Sequence, residues 1–117
     1  MKDVALYVPG EMGGEGRFAV QLSQNHAHFG LFKDYVCVFQ EETIPTHGKI
    51  IAMRFGEETK IGAALVLDDF ARFYYDDNQW RELDGEMLGF LVGIVRERNG
   101  LRLTAYNPSG IERGPFA

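Results

Sequence analysis

The sequence predicts a single, mostly β domain, and three features of its composition and patterning support this class. Of the 117 residues, 45% are apolar and 13% aromatic, which is enough for a chain of this length to bury its own core. Glycine occurs 14 times, nearly twice its usual share of about 7%, and this favours tight turns and bulges over helices. Short runs rich in β-branched and aromatic residues alternate with turn residues throughout. Because no repeat or internal boundary interrupts this pattern, we treat residues 1–117 as one domain.

The first half of the chain contains three predicted strands. A glycine-rich stretch at 10–16, which follows Pro9, is expected to be flexible. Residues 24–34 lack a strand pattern and are expected to form a loop or a single helical turn. The predicted strands are residues 4–8, 18–22 and 35–39, and the last of these is a continuous apolar run typical of a buried strand.

The second half begins with a turn over 41–48 that contains Pro45. Two strands then follow, at 50–55 and 60–67, and the intervening Gly56-Glu57-Glu58 predicts a hairpin between them. A further strand is predicted at 70–75 and ends in a polar turn at 76–78.

Residues 86–98 fit either a helix or a strand. A stripe of apolar residues at helical spacing, with an acidic start and a basic end, favours a helix. Gly89 and Gly93 argue against it, because each would cost about 1 kcal/mol inside a helix. We therefore predict a strand, followed by a type I′ turn at Asn99-Gly100 and a returning strand over 101–106. In that strand one face would carry the large apolar residues and the other the glycines; the apolar face would comprise Leu88, Phe90, Val92 and Ile94.

Charge and cysteine content exclude several classes of function. The net charge is −5 and the acidic residues concentrate in 68–86, so we expect no direct binding to nucleic acid. The single cysteine, Cys37, excludes an internal disulfide and a cysteine-based zinc site. No apolar run approaches the length of a membrane span, and the first residues lack the core of a signal peptide. We expect a soluble, cytoplasmic protein without a cofactor or membrane contact, in which residues 107–117 form a flexible tail.

Four segments, covering about residues 18–98, occur in an order that is familiar from one protein family. They are FAVQLS at 18–23, GLFKDYVCV at 30–38, GKIIAMR at 48–54 and MLGFLVGIVR at 87–96. The first resembles the strand before the nucleophile in LexA-like self-cleaving repressors and signal peptidases. The others resemble that family's G-(I/L)-x-x-G-D-x-V-x-V segment, its G-D-I-V-V-A-x strand and its closing I-L-G-V-V-V-G-V-V-R strand.

The resemblance implies a compact, twisted, almost all-β peptidase domain whose chemistry uses a serine nucleophile and a neutral lysine base. Both catalytic positions are lost here. The family's G-(D/M)-S-M motif falls on 24–27 and places His26 at the serine, while Gly62 falls at the lysine. The glycine expected before Asp34 is also missing, and the sequence contains no Ala-Gly or Cys-Gly dipeptide of the kind that self-cleaving members cut.

The resemblance therefore predicts the fold without the activity. We expect a catalytically inactive module that acts through protein–protein contacts, as a regulatory accessory in a process such as transcription. Its partners would be a second copy of the chain and another protein that the sequence does not name.

Two enzymatic or ligand-binding alternatives stay open. A displaced dyad of Ser23 and Lys60 would make the protein a small serine hydrolase, since each lies a few residues from a lost catalytic position. Alternatively, a small ligand could bind in the vacated pocket around His26 and Gly62, or a metal ion could bind to His26, His28 and His47. Loop histidines without a metal are the simpler interpretation, so we expect no metal.

Two strands are candidates for contact surfaces. In the aromatic strand at 70–75, Phe73 and Tyr75 share one face, and Phe70 and Tyr74 share the other. Burial in the core is the main interpretation of this cluster, which includes Trp80, and an exposed interaction surface is the alternative.

The strand at 101–106 is expected to lie at a sheet edge and to pair with a second copy, because a single charge and no proline block it. On the sequence alone, Leu103→Pro is the substitution expected to weaken that dimer.

Overall fold

A computed structural model describes residues 8–76 and 79–108, which form eight antiparallel strands and two short 3-10 turns. This confirms the mostly β fold class. No helix in the described ranges is long and apolar enough to cross a membrane. The predicted strand at 4–8, apart from Val8, and residues 77–78 and 109–117 lie outside this description. The strands are Arg17–Gln21 (β1), Val36–Glu41 (β2), Ile50–Phe55 (β3), Glu58–Leu67 (β4), Phe70–Asp76 (β5), Gln79–Glu82 (β6), Glu86–Arg98 (β7) and Leu101–Tyr106 (β8).

All eight strands belong to one sheet, in the order β1-β2-β7-β3-β4-β5-β6, with β8 also paired to β7. β7 is the longest strand, at 13 residues, and it pairs with three others. Its register with β2 extends over 89–95, with β3 over 86–90 and with β8 over 93–98. Because β2 occupies one side of β7 at 93–95, β3 and β8 must follow each other along the opposite side. The prediction that 86–98 is a strand is therefore confirmed.

Two bulges in β7 change which side chains share a face. The pairing with β2 passes from Gly93 directly to Leu91, and the pairing with β3 passes from Gly89 to Met87, so Val92 and Leu88 are the inserted residues. The predicted apolar face of four alternating residues is therefore wrong. Leu88 and Ile94 pack in one core cluster with Leu91, whereas Phe90 and Val92 pack in the other with Val95.

The two core clusters lie on opposite faces of the sheet. In β3, Ile50 and Ala52 contribute to one cluster, and the alternating Ile51 and Met53 contribute to the other. All four side chains are buried, as expected for a strand that is covered on both faces. The cluster that contains Ile50 and Ala52 is covered by the segment that connects β1 and β2. This segment contributes Leu22, Leu31 and the partly buried Phe29 and Tyr35.

The glycine-rich stretch before β1 is ordered over part of its length, which corrects the prediction of a flexible segment. A 3-10 turn at Gly10–Met12 buries the Met12 side chain completely. A Cβ added to Gly93 would lie 2.6 Å from Met12 Sδ, so the glycine makes room for this side chain. The Arg17 guanidinium donates to the Met12 carbonyl at 3.0 Å and holds the turn against the start of β1.

The aromatic strand β5 has one buried face and one outer face. Phe73 is fully buried and stacks on Tyr75, with ring centroids 6.2 Å apart, while Phe70 and Tyr74 alternate with them and are half-buried. The predicted pairing of faces is therefore confirmed, and the face that carries Phe73 packs in the core.

The β7–β8 hairpin closes through Asn99 and Gly100, with φ of 53° and 78°. Positive φ at both positions is the requirement of the predicted type I′ turn. β8 is exposed along all six residues, and its outer edge has no partner among the described strands. After it, the Asn107 N–H donates to the Val92 carbonyl at 2.6 Å, so the first residue of the predicted tail is still held to the sheet.

Candidate functional site

A cleft of about 660 Å³ lies between the end of β1 and the start of β4. Residues 23–26 form one rim and residues 58–60 form the other. The cleft thus brings together Ser23, His26 and Lys60, three residues that the sequence identified as candidates. Between the rims, the lining is mainly apolar and is formed by Phe18, Val20, Leu22, Ala52, Ile61 and Leu88.

Backbone hydrogen bonds at both ends of the rim that carries Ser23 and His26 hold it in place. Leu22 N–H donates to the Tyr35 carbonyl at 2.9 Å, where β1 ends. His26 and Leu31 exchange backbone hydrogen bonds of 2.6 and 3.2 Å around a 3-10 turn at Ala27–Phe29. Of the two forms predicted for residues 24–34, a loop or a single helical turn, the structure has the turn. Since Leu22 and Leu31 are buried, the rim is anchored to the core at both ends.

Lys60 on the opposite rim makes contacts that suit a charged ammonium group. Its Nζ lies 3.0 Å from Glu58 Oε1 and 4.8 Å from the centroid of the Tyr75 ring. A carboxylate and an aromatic face both attract a cation. A lysine that acts as a general base must be neutral, and such bases lie in dry, apolar surroundings. Lys60 instead lies beside a carboxylate and an aromatic ring.

Gly62, which the resemblance places at the catalytic lysine, does not line the cleft. A Cβ added there would overlap the backbone carbonyl of Tyr74 and lie 2.8 Å from Phe73 Cζ. The space beside Gly62 is therefore already filled by β5, and no longer side chain fits without a shift of backbone.

The three histidines have separate local contacts. His47 Nδ1 accepts a hydrogen bond from the Val66 N–H at 3.1 Å, and the His28 ring packs edge-on against Phe29 at 5.2 Å. His26 lies at the rim of the cleft. Over residues 8–76 and 79–108, no three histidine, cysteine, aspartate or glutamate side chains are grouped so that they could hold a metal ion.

Cys37 is not placed to act as a nucleophile. It is fully buried among the apolar residues below the cleft rim, and burial raises its pKa to about 12. The thiolate is the reactive form of cysteine, so this side chain stays an inert thiol at neutral pH.

A second hollow, of about 370 Å³, continues the cleft beyond Phe18 and Leu88, which line both. Its far end is formed by the acidic residues Glu41 and Glu42. The sequence did not reveal this extension, nor the roles of Glu58 and Tyr75. Glu58 could have been found from its spacing, since residues two apart on a strand share a face and Glu58 stands two before Lys60.

Comparisons with known proteins identify no family. No family model matches the sequence, and no curated protein matches it either.

Proposed function

We propose that this protein is a non-enzymatic interaction module, built as a LexA-like peptidase domain that has lost its catalytic residues. The observation that carries the proposal is the cleft itself, which is about 660 Å³ in volume and mainly apolar, while His26 and Gly62 occupy the two positions of the family's catalytic residues. We place its action in the cytoplasm, as an accessory in regulation such as that of transcription.

The edge of the sheet beside the cleft suits an extended segment of a partner protein. β1 is the first strand of the sheet, and among the described strands it pairs only with β2. The Gly16 carbonyl accepts from the Glu41 N–H, and the Leu22 N–H donates to the Tyr35 carbonyl. The backbone groups of even-numbered residues from 16 to 22 are therefore directed toward β2. The intervening Ala19 and Gln21 then direct their backbone N–H and C=O groups away from it. An added strand could use those groups, with apolar side chains entering the cleft.

Chemical inertness is the first expected result. We expect a fluorophosphonate probe to leave the mass of the purified protein unchanged at alkaline pH, because His26 and Gly62 replace the family's nucleophile and base. Intact-mass spectrometry checks this, with Ser23→Ala as the control. Stoichiometric labelling of the native chain that disappears in the control would contradict the proposal.

A displaced dyad is the second candidate function, and one observation favours it: Ser23 and Lys60 line the same cleft. In that case Lys60 Nζ, which lies 3.0 Å from Glu58 Oε1, would have to turn toward Ser23. The labelling experiment decides between the two functions, since the fluorophosphonate would label Ser23 only if the protein is a hydrolase.

We also propose that the module pairs with a second copy through the outer edge of β8. Leu101 and Leu103 on this strand are 66% and 37% exposed, and no described strand covers them. An open edge with exposed apolar residues is a template for pairing, and a two-fold axis would satisfy both chains with one surface.

The structure changes which residue best tests this dimer. Asn107 N–H bonds to β7, and Arg98 pairs with Leu101 across the two-residue turn, so odd-numbered positions of β8 are directed toward β7. The Leu103 N–H therefore lies inside the hairpin, so Leu103→Pro would disrupt the pairing of β8 with β7 as well as any dimer. The outward N–H in mid-strand is that of Thr104.

Thr104→Pro is expected to raise the dissociation constant of the dimer about tenfold, because it removes an outward donor and leaves the β7–β8 ladder intact. Sedimentation equilibrium measures the effect, and Thr104→Ala serves as the control that keeps the N–H. A native chain that sediments as a monomer at micromolar concentration, or equal effects of the two substitutions, would contradict pairing through β8.

A further inference from the structure

The strand β6, at the opposite edge of the sheet from β1, combines an open backbone edge with an exposed aromatic residue. In the described part of the chain, β6 pairs only with β5. The Leu83 N–H donates to the Ala71 carbonyl of β5. Backbone groups of alternate residues point to the same side of a strand, so those of Arg81 are directed toward β5. Trp80 and Glu82 therefore direct their N–H and C=O groups outward. Trp80 is 41% exposed.

The outer face beside this edge is a flat aromatic surface. Register places Tyr74 opposite Trp80 and Arg72 opposite Glu82, so these side chains share the outer face. The Arg72 guanidinium carbon lies 4.6 Å from the Phe70 ring centroid and 4.0 Å from that of Trp80. The stacked arginine holds the indole in position at the edge.

The charge around the edge is negative overall in the described ranges, because four carboxylates lie near two arginines. Asp68 and Asp69 are exposed at the turn before β5, and Glu82 and Asp84 are exposed on and just after β6. None of these four carboxylates forms an ion pair in the described ranges. The nearby arginines are Arg72 and Arg81, and both are stacked on aromatic rings.

We propose that β6 is a docking edge for a basic, extended segment of another protein, which adds to the sheet as a further strand. The outward groups of Trp80 and Glu82 would form its backbone hydrogen bonds. Residues on the outer face of the added strand would lie against the side chains of Trp80 and Glu82. The partner would therefore carry an apolar residue against Trp80 and, two positions along its own strand, a lysine or arginine against Glu82. Charge complementarity selects a basic partner, since the carboxylates would repel an acidic strand. This inference is independent of what binds in the cleft or at β8.

Trp80 provides a direct readout, because it is the only tryptophan in the chain. The full-length protein is titrated with a synthetic peptide in which lysine and valine alternate with threonine, and the tryptophan emission is followed. We expect a saturable change in emission that weakens as salt is added. A peptide with glutamate in place of each lysine should leave the emission unchanged.

Glu82→Lys is expected to weaken peptide binding about tenfold, as an attraction becomes a repulsion next to the added strand. The matched control is Glu15→Lys, which makes the same change in net charge at an exposed loop beside β1 and should alter affinity by less than about twofold. Absence of an emission change at saturating peptide, an equal loss in both variants, or equal binding of the glutamate peptide would each overturn the proposal. None of these outcomes bears on the inertness of Ser23, so failure here is distinguishable from failure of the proposed function.

Discussion

Gly62→Ala is expected to destabilise the protein by about 3 kcal/mol, at the upper end of the range for overpacked core positions. Gly62 is buried in β4, and a Cβ there would overlap the Tyr74 carbonyl and lie 2.8 Å from Phe73 Cζ. A clash with backbone cannot be relieved by a change of rotamer, so β4 and β5 would have to separate. Urea denaturation measures the free energy of unfolding.

The matched control is Gly10→Ala, at a position with no atom within 4 Å of the added Cβ and no positive φ. We expect its effect to stay within about 0.5 kcal/mol. Equal effects of the two substitutions would contradict the packing around Gly62. The same clash implies that Gly62→Lys does not rebuild a peptidase, because the position lacks the room for any side chain.

Phe73→Ala is expected to lower the free energy of unfolding by about 4 kcal/mol, as for other fully buried phenylalanines. The Phe73 side chain is completely buried and contacts Phe55 at 5.3 Å and Tyr75 at 6.2 Å between ring centroids. Its removal would leave a cavity where β5 packs on the core.

Phe70→Ala, three residues earlier on the same strand, provides the comparison. Phe70 is half-buried on the outer face and stacks with Arg72, so we expect a loss of about 1 kcal/mol. Urea denaturation of both variants checks the order of the two effects. An equal or reversed order would mean that the two faces of β5 are assigned the wrong way round.

Most strands could be predicted because their signals are local. Continuous apolar runs, a glycine between runs and the Asn99-Gly100 pair act through a few neighbouring residues, and each predicted strand from β1 to β5, β7 and β8 is present. β6 was missed because its four residues are mostly polar, and only pairing with β5 makes them a strand. The burial of Met12 was not predicted for a similar reason, since the space beside Gly93 that its side chain fills belongs to a distant strand.

The candidate site was predictable as a set of residues but not as a geometry. Ser23, His26 and Lys60 were selected by their spacing from motif positions, and the cleft brings them together. Their chemistry depends on neighbours that spacing does not specify. The Tyr75 ring reaches Lys60 from another strand, and the space beside Gly62 is closed by Tyr74.

By itself, the sequence determined that the chain is mostly β, that its strands are joined by turns at glycine, proline or asparagine, and that its single cysteine cannot form an internal disulfide. Those properties follow from composition and from conformational preferences of single residues or short runs. Tertiary structure alone decided the faces of β7, because a bulge such as that at Val92 arises from the register between two strands. It also decided which edges stay open and which ring lies against Lys60, since the open edges and the Tyr75 contact depend on strands brought together from distant parts of the chain.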